Sequence, residues 1–308
     1  MYRQHRWLRG LGCTLALQLL LSTQTQAQGI AVLKSHDIEP FNQALAGFVA
    51  ACNHPLTVYD LRGSDKRKDR IIKQIMDTKP RLVLAIGALA TQVAQEAVRD
   101  VPVVFSMVPN PRQHGSGRAN IAGISLDIPI ETQFTTYKRL VPKLRTLGTI
   151  YDPEKTGTMI NEARGVAEKL GLRLLDAPAT SPKAVPAALR SLLGKIDALW
   201  MVPDDTVVTP ESFKLLLLEA FENNLPFLTV SDIFVEVGAL ASLSPDYTDV
   251  GRQACQLVRE IDSGRLSPRR VEVVPPEKVN LAINLKTASK IGLMLSPESI
   301  QAATKVYR

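Results

Sequence analysis

From Gly29 onward the chain alternates between two hydrophobic periods. Ile30-Ala31-Val32-Leu33 is an unbroken apolar run of strand length. Phe41, Leu45, Phe48, Val49 and Cys52 then recur every three or four positions, which predicts a helix with one apolar face, ended by His54-Pro55. The same reading predicts strands at 56–61, 81–86, 101–107 and 121–126 and helices at 65–77 and 88–98, the first of these turning Ile71, Ile72, Ile75 and Met76 inward. The 81–86 run is apolar at nearly every position, as a parallel strand covered on both faces must be.

After Pro129 the alternation begins again. Helices are expected at 131–140, 159–170, 184–193 and 211–222, and strands at 147–151, 172–175, 198–202, 226–230 and 239–243. Strands separated by helices of ten to fifteen residues build βαβ units, so each half reads as a doubly wound parallel sheet. The last section differs. Residues 247–262 form a long amphipathic helix closed by Ser263-Gly264, followed by extended segments at 270–274 and 281–285 around Pro275-Pro276, and a short helix from Lys286. A terminal stretch this long must complete one or both halves, so the chain crosses between them more than twice. The expected division is therefore lobe 1 from 28–126 and 247–274, and lobe 2 from 127–246 and 275–308. Three proline-bearing crossings, at 125–129, 244–247 and 274–278, form a three-segment hinge. The fold class is α/β.

The first residues add a destination. Arg3, Arg6 and Arg9 precede the apolar run 11–21 and a small-residue site ending at Ala27, the pattern of a secretory signal peptide over 1–27, too short in its apolar part to span a bilayer. Removing it takes away three arginines and no acids, so the formal charge falls from +7 to +4. The basic cluster Lys66, Arg67, Lys68 and Arg70 is interrupted by Asp65 and Asp69 and lacks interleaved aromatics. It reads as a solvated face, with no nucleic-acid partner. Cys52 and Cys255 each lie on a helical pattern. They read as two separate buried thiols, with a bridge as the alternative that an oxidising compartment permits. No histidine pair accompanies them, so no metal and no cofactor is expected.

In open α/β sheets ligands bind beyond the carboxyl ends of the strands, where helix N-termini converge. Those ends are Ser35-His36, Gly87-Ala88-Leu89 and Ser106-Met107 in the first half, and Tyr151-Asp152, Asp204-Asp205-Thr206 and Ser231-Asp232 in the second. The Gly87 turn suits an anion, because small residues admit it to the free N–H groups of a helix start; it lacks the spacing and the lysine of a nucleotide loop. The acids of the second half suit an ammonium or hydroxyl groups, or else cap the helices that follow them. Neither a nucleophile elbow nor a metalloprotease motif is present, and no catalytic set emerges.

The segments 84–92, 121–125, 197–204 and 238–247, the last of them Gly-Ala-Leu-Ala-Ser-Leu-Ser-Pro-Asp-Tyr and followed by Gly251-Arg252-Gln253-Ala254, resemble the solute-binding-protein family of ABC importers that includes tryptophan-type amino-acid binders. The resemblance spans nearly the whole chain after the signal. It implies a type I periplasmic-binding-protein fold that encloses a small polar or zwitterionic ligand by hinge closure, without catalysis. It also implies a periplasmic location, a monomer, and delivery to a membrane permease with its ATPase. Carried over as ligand contacts are Ser35, Gly87, Ala88, Leu89, Met107, Tyr151, Asp204 and Asp232; His36 and Asp152 join them as strand-end residues. The chain departs from the family at Ala88, where many relatives carry Thr. A ligand sensor presenting its closed state to a receptor is the alternative function, with a carbohydrate-active hydrolase behind it.

Overall fold

The computed structural model describes residues 29–111, 120–265 and 273–308. The signal-like segment, His114 and most of the 270–274 run therefore lie outside the described residues. The chain opens with β1 (Ile30–Lys34), α1 (Glu39–Ala51), β2 (Leu56–Asp60), α2 (Lys68–Asp77), β3 (Leu82–Ile86), α3 (Ala88–Ala97), β4 (Val103–Val108) and β5 (Ile121–Ser125). It continues with α4 (Ile130–Leu140), β6 (Thr146–Tyr151), α5 (Pro153–Lys169), β7 (Arg173–Pro178), α6 (Val185–Leu192), β8 (Ala198–Trp200), α7 (Pro210–Glu222), β9 (Phe227–Thr229), α8 (Asp232–Glu236) and β10 (Ala241–Pro245). The return comprises α9 (Tyr247–Asp262), β11 (Val273–Val274), β12 (Val279–Asn284), α10 (Leu285–Lys290), α11 (Pro297–Gln301) and β13 (Lys305–Tyr307).

Among the described residues two sheets form, in the orders β11-β5-β4-β3-β1-β2 and β13-β12-β10-β9-β8-β6-β7. The first is parallel throughout. The second is parallel except where β12 runs against β10. Strands β1, β3, β4 and β5 are buried at every position, because helices cover both faces of their sheet. One face packs on α1 and α9, the other on α2 and α3. In the second sheet one face carries α4, α5 and the C-terminal elements, and the other α6 and α7. The chain passes between the sheets where β5 leads to α4, where β10 leads to α9, and where β11 leads to β12.

Helices α1 and α9 meet more closely than side chains normally allow. A Cβ on Gly251 would lie 1.8 Å from the Ala44 carbonyl oxygen, and one on Gly47 1.9 Å from that of Thr248. At one end of this contact Cys52 and Cys255 form a disulfide, with Cα atoms 5.6 Å apart. This corrects the expectation of separate thiols. Each cysteine is buried as predicted, but the close crossing sets them face to face.

Three elements, α8, α11 and β13, have no counterpart in the periodicity. Helix α8 is five residues long and β13 three. Elements β13 and α8 are held by tertiary contacts, β13 by pairing with β12 and α8 by the Asn284 amide, which donates to the Val235 carbonyl at 2.9 Å. The expected helix at 65–77 begins instead as a 3-10 turn, Asp65–Arg67, capped by Ser64.

Candidate functional site

The carboxyl ends of β1, β3 and β4 lie side by side and bring Ser35, His36, Gly87, Ala88, Leu89 and Met107 to one rim. Gly87 has φ +92°, and a Cβ there would sit 2.6 Å from Ser35 Oγ and 2.7 Å from the Phe41 ring, so only glycine fits. Ser35 is buried, and its hydroxyl accepts the Ala90 N–H at 2.8 Å. One strand thus caps the helix that follows another. The N–H groups of Ala88 and Leu89, the first two of α3, have no carbonyl one turn back to receive them, and they carry the positive end of the helix dipole.

Met107 is buried at φ +60°, and the β4–β5 register shifts between Phe105 and Val108. A strained bulge of this kind turns a strand end out of its ladder. Lys34, the one lysine or arginine among the buried described residues, donates to Asp37 and Asn42, both at 2.8 Å, and so fixes the loop that carries Ser35 and His36. That ammonium, with Asn42 after it, holds the Asp37 carboxyl below its ordinary range. His36 is exposed and lies against Gly63, where a Cβ would be 2.0 Å from its Cε1.

The opposite rim is built from the ends of β6, β8 and β9, and its acids divide. Asp204, 1% exposed, accepts the Asp152 N–H at 2.7 Å and the Thr156 hydroxyl at 2.6 Å on one oxygen, and the N–H groups of Thr206 and Val207 at 3.0 and 3.3 Å on the other. Asp152 caps α5 through the Glu154 N–H at 3.1 Å and accepts the Thr206 hydroxyl at 2.8 Å. Both carboxylates are committed to tying β6 to β8. Tyr151 is buried in the core, and nearby Arg164 pairs with Asp176 at 2.9 and 2.8 Å, which holds the guanidinium more firmly charged than usual. Tyr151, Asp152 and Asp204 therefore come together at the ends of β6 and β8, with both carboxylates hydrogen-bonded within the lobe.

Asp232 is different. Its side chain is 41% exposed, and the side-chain partner it has is Lys305 of β13, at 2.9 Å. Tyr247, the first residue of α9, packs on the core of the first sheet. Its phenol is pushed up by burial and then by the Asp232 charge.

Between the lobes, beside the hinge, lies a cavity of about 310 Å³ bounded by Asp127, Ile128 and Pro129 of the first crossing, Pro275 of the third, and Thr156 and Met159 of α5. None of the expected ligand contacts lines it. On the side of the first crossing both Asp127 oxygens accept the Asn110 N–H at 3.0 Å, and the Ser125 hydroxyl accepts the Asp127 N–H at 2.8 Å.

The crossings are anchored to the lobes they join. Gln133 donates to the Ile128 carbonyl at 2.8 Å and accepts the Trp200 indole N–H at 3.1 Å. Gln253 spans the third crossing, donating to the Pro275 carbonyl at 3.2 Å and accepting the Glu277 N–H at 3.0 Å. Nearby, buried Asp249 is held below the usual carboxylate range, first by Arg252 at 2.7 Å and then by Lys278 at 3.4 Å. A depressed carboxyl contributes stability at neutral pH that is lost as pH falls through its folded-state value. Acid unfolding is therefore expected to steepen below about pH 4, and Asp249→Asn to flatten that limb. A variant that tracks the parent in acid titration would remove Asp249 from the account.

Lys305, Tyr307 and Lys34 escaped the sequence reading, and Gln253 entered it only within the family-like segment 251–254. Lys34 ends an apolar strand and Gln253 sits on the apolar side of a helix, positions where a lone polar residue is itself a signal. Lys305 and Tyr307 gave none.

Among the described residues no helix is long and apolar enough to cross a membrane, and no group of three or more histidines, cysteines or acids could hold a metal. The family model described as ABC transporter substrate binding protein matches residues 56–307. The Tyrosine-binding protein of Clostridioides difficile (strain R20291) is 26% identical over 240 residues, covering 75% of this chain and 69% of that one. In structure, a ligand-free, open substrate binding protein with adhesive properties from Clostridium difficile is similar with TM-score 0.77 at 20% identity, over 91% of this chain and 99% of that one. The ABC domain in complex with L-Trp from Streptococcus pneumonia is similar with TM-score 0.63 at 22% identity, over the same shares of the two chains. The architecture of paired parallel sheets is thus that of type I periplasmic-binding proteins.

Proposed function

This chain belongs to the ABC transporter substrate-binding protein family, and we propose that it is exported, captures a free amino acid between its lobes, and hands it to a membrane permease driven by an ATPase. The carboxylate is received by the Ala88 and Leu89 N–H groups in the Gly87 turn, framed by Ser35, His36 and Met107. The ammonium is received by Asp232. Tyr151, Asp152 and Asp204 hold the second rim in shape and do not touch the solute. The two bodies that close are 28–126 with 247–274 and 127–246 with 275–308.

The observation that carries this reading is that the strand ends of the two sheets offer opposite charge: a helix start without a side-chain cap on its N-cap residue in the first, and an exposed carboxylate in the second. A zwitterion satisfies both at once and so favours the closed state. The relatives that bind tyrosine and L-Trp support an amino acid as the class. The Cys52–Cys255 bridge supports an oxidising compartment, reached through the signal-like segment.

The test is a thermal-shift screen of the twenty L-amino acids on the protein lacking residues 1–27, followed by calorimetry. A solute present at a hundred times its dissociation constant adds about 2.7 kcal/mol of stability, a rise of roughly 5–10 °C for a chain this size. Asp232→Ala is expected to weaken the tightest amino acid by about tenfold or more, the worth of a lost charged hydrogen bond. A screen in which no amino acid raises the melting temperature would end the proposal.

A further inference from the structure

Asp232 already holds a cation. Strand β13 pairs with β12 in the register Ala282↔Lys305 and Asn284↔Tyr307, which sets both side chains against α8. The Lys305 ammonium lies 2.9 Å from Asp232 Oδ2 and 4.9 Å from the centre of the Tyr307 ring. The Tyr307 hydroxyl donates to the Asp232 carbonyl at 3.2 Å, with the Glu236 carboxylate 3.5 Å away, so the last strand grips the first turn of α8 by two residues. The Lys305 and Asp232 side chains are 51% and 41% exposed, so water and solutes reach the pair. Asp232 opens α8 directly after β9, and β9, β8 and β6 run parallel, so it stands at the same carboxyl edge of the second sheet as Tyr151 and Asp204.

We propose, on the reading of the solute as an amino acid, that Lys305 is a tethered counter-ion standing in the place of the solute's ammonium. An arriving ammonium must displace it. Lys305 therefore lowers affinity for ammonium-bearing solutes and leaves solutes without that group unaffected, which makes it a determinant of specificity outside the strand ends. The sign separates this role from that of a contact. A lysine that bound the solute's carboxylate would strengthen binding, and a lysine with a merely structural role would change the melting temperature alone.

The experiment compares the parent, Lys305→Met and Lys305→Arg by calorimetry against each of the twenty L-amino acids and against the deaminated propionic-acid counterparts of L-tyrosine and L-tryptophan. An exposed pair of this kind restrains binding by roughly two- to fivefold. Lys305→Met is expected to bind the preferred amino acid tighter by that factor, Lys305→Arg to match the parent within twofold, and the deaminated acids to show no difference. Amino-acid binding by Lys305→Met alone would support the proposal more strongly still. An amino acid that binds the parent and Lys305→Met equally, or the variant more weakly, would overturn the counter-ion and leave the amino-acid reading standing. Failure of both proteins to bind any amino acid would overturn both, because an uncovered Asp232 would then have recruited no ammonium. Equal melting temperatures of parent and variants confirm that the affinities refer to the same fold.

Discussion

Replacing Cys255 with serine is expected to lower the stability of the first lobe by about 2–5 kcal/mol, because the Cys52–Cys255 bridge closes a loop spanning a sequence separation of 203 residues. Chain entropy alone gives roughly 5 kcal/mol for a loop of that length, and the native contact it crosses survives without it. Helices α1 and α9 already touch backbone to backbone at Gly47 and Gly251, so the serine variant retains the crossing and loses mainly the restraint on the unfolded chain. The loop encloses the whole of the second sheet as far as β10, yet the bridge itself joins two helices of the first. The lobes should therefore respond unequally. Trp200 is buried in the second lobe, and the other tryptophan, Trp7, lies in the signal-like segment, so tryptophan fluorescence of the exported form reports the second lobe alone. In denaturant titrations the far-ultraviolet circular dichroism of Cys255→Ser should acquire an early phase that fluorescence lacks, and reductant should produce the same phase in the parent. Coincident transitions in parent, variant and reduced protein would show that the bridge contributes nothing to stability.

Strands covered on both faces announce themselves, because no polar residue interrupts them. Leu82–Ile86 was legible for that reason, and the helix Tyr247–Asp262 for its regular apolar face. The three crossings were legible from Pro129, Pro245 and Pro275, which cannot continue a ladder or a helix interior. The bridge was not legible. Its formation depends on two glycines, one on each helix, letting α1 and α9 approach, and nothing local to either cysteine records that partnership. Elements α8 and β13 are too short for a period to show and exist through their neighbours.

The strand-end acids illustrate a subtler limit. Asp152, Asp204 and Asp232 occupy equivalent places in the alternation, yet the first two are consumed internally and the third is accessible. Part of the difference was written locally. Asp152 precedes Pro153 at a helix start, and Asp204 stands two residues before Thr206, whose N–H it accepts in an Asx turn, whereas Asp232 follows the helix cap Ser231 and lies inside α8. The rest was remote, since the Thr156 hydroxyl and the Asp152 N–H that complete the Asp204 shell lie 48 and 52 residues away.

That division sets the second large effect. Asp204→Ala is expected to destabilise the second lobe by about 3–5 kcal/mol, since it leaves the buried N–H groups of Asp152 and Thr206 without an acceptor and the Thr156 hydroxyl with only the Asp152 carbonyl at 3.5 Å. Asp204→Asn preserves the volume but turns an NH₂ toward donors, so it should recover only part of the loss. Asp232→Ala makes the opposite cut. It removes an exposed carboxylate whose ion pair is worth at most about 1 kcal/mol, so its melting temperature should stay near that of the parent while affinity falls. Paired measurements of melting temperature and dissociation constant, the latter taken well below every unfolding transition, therefore place the two variants on different axes. An Asp204→Ala protein that melts with the parent and fails only to bind would return that carboxylate to the solute, and the second rim would then need another residue to join β6 to β8.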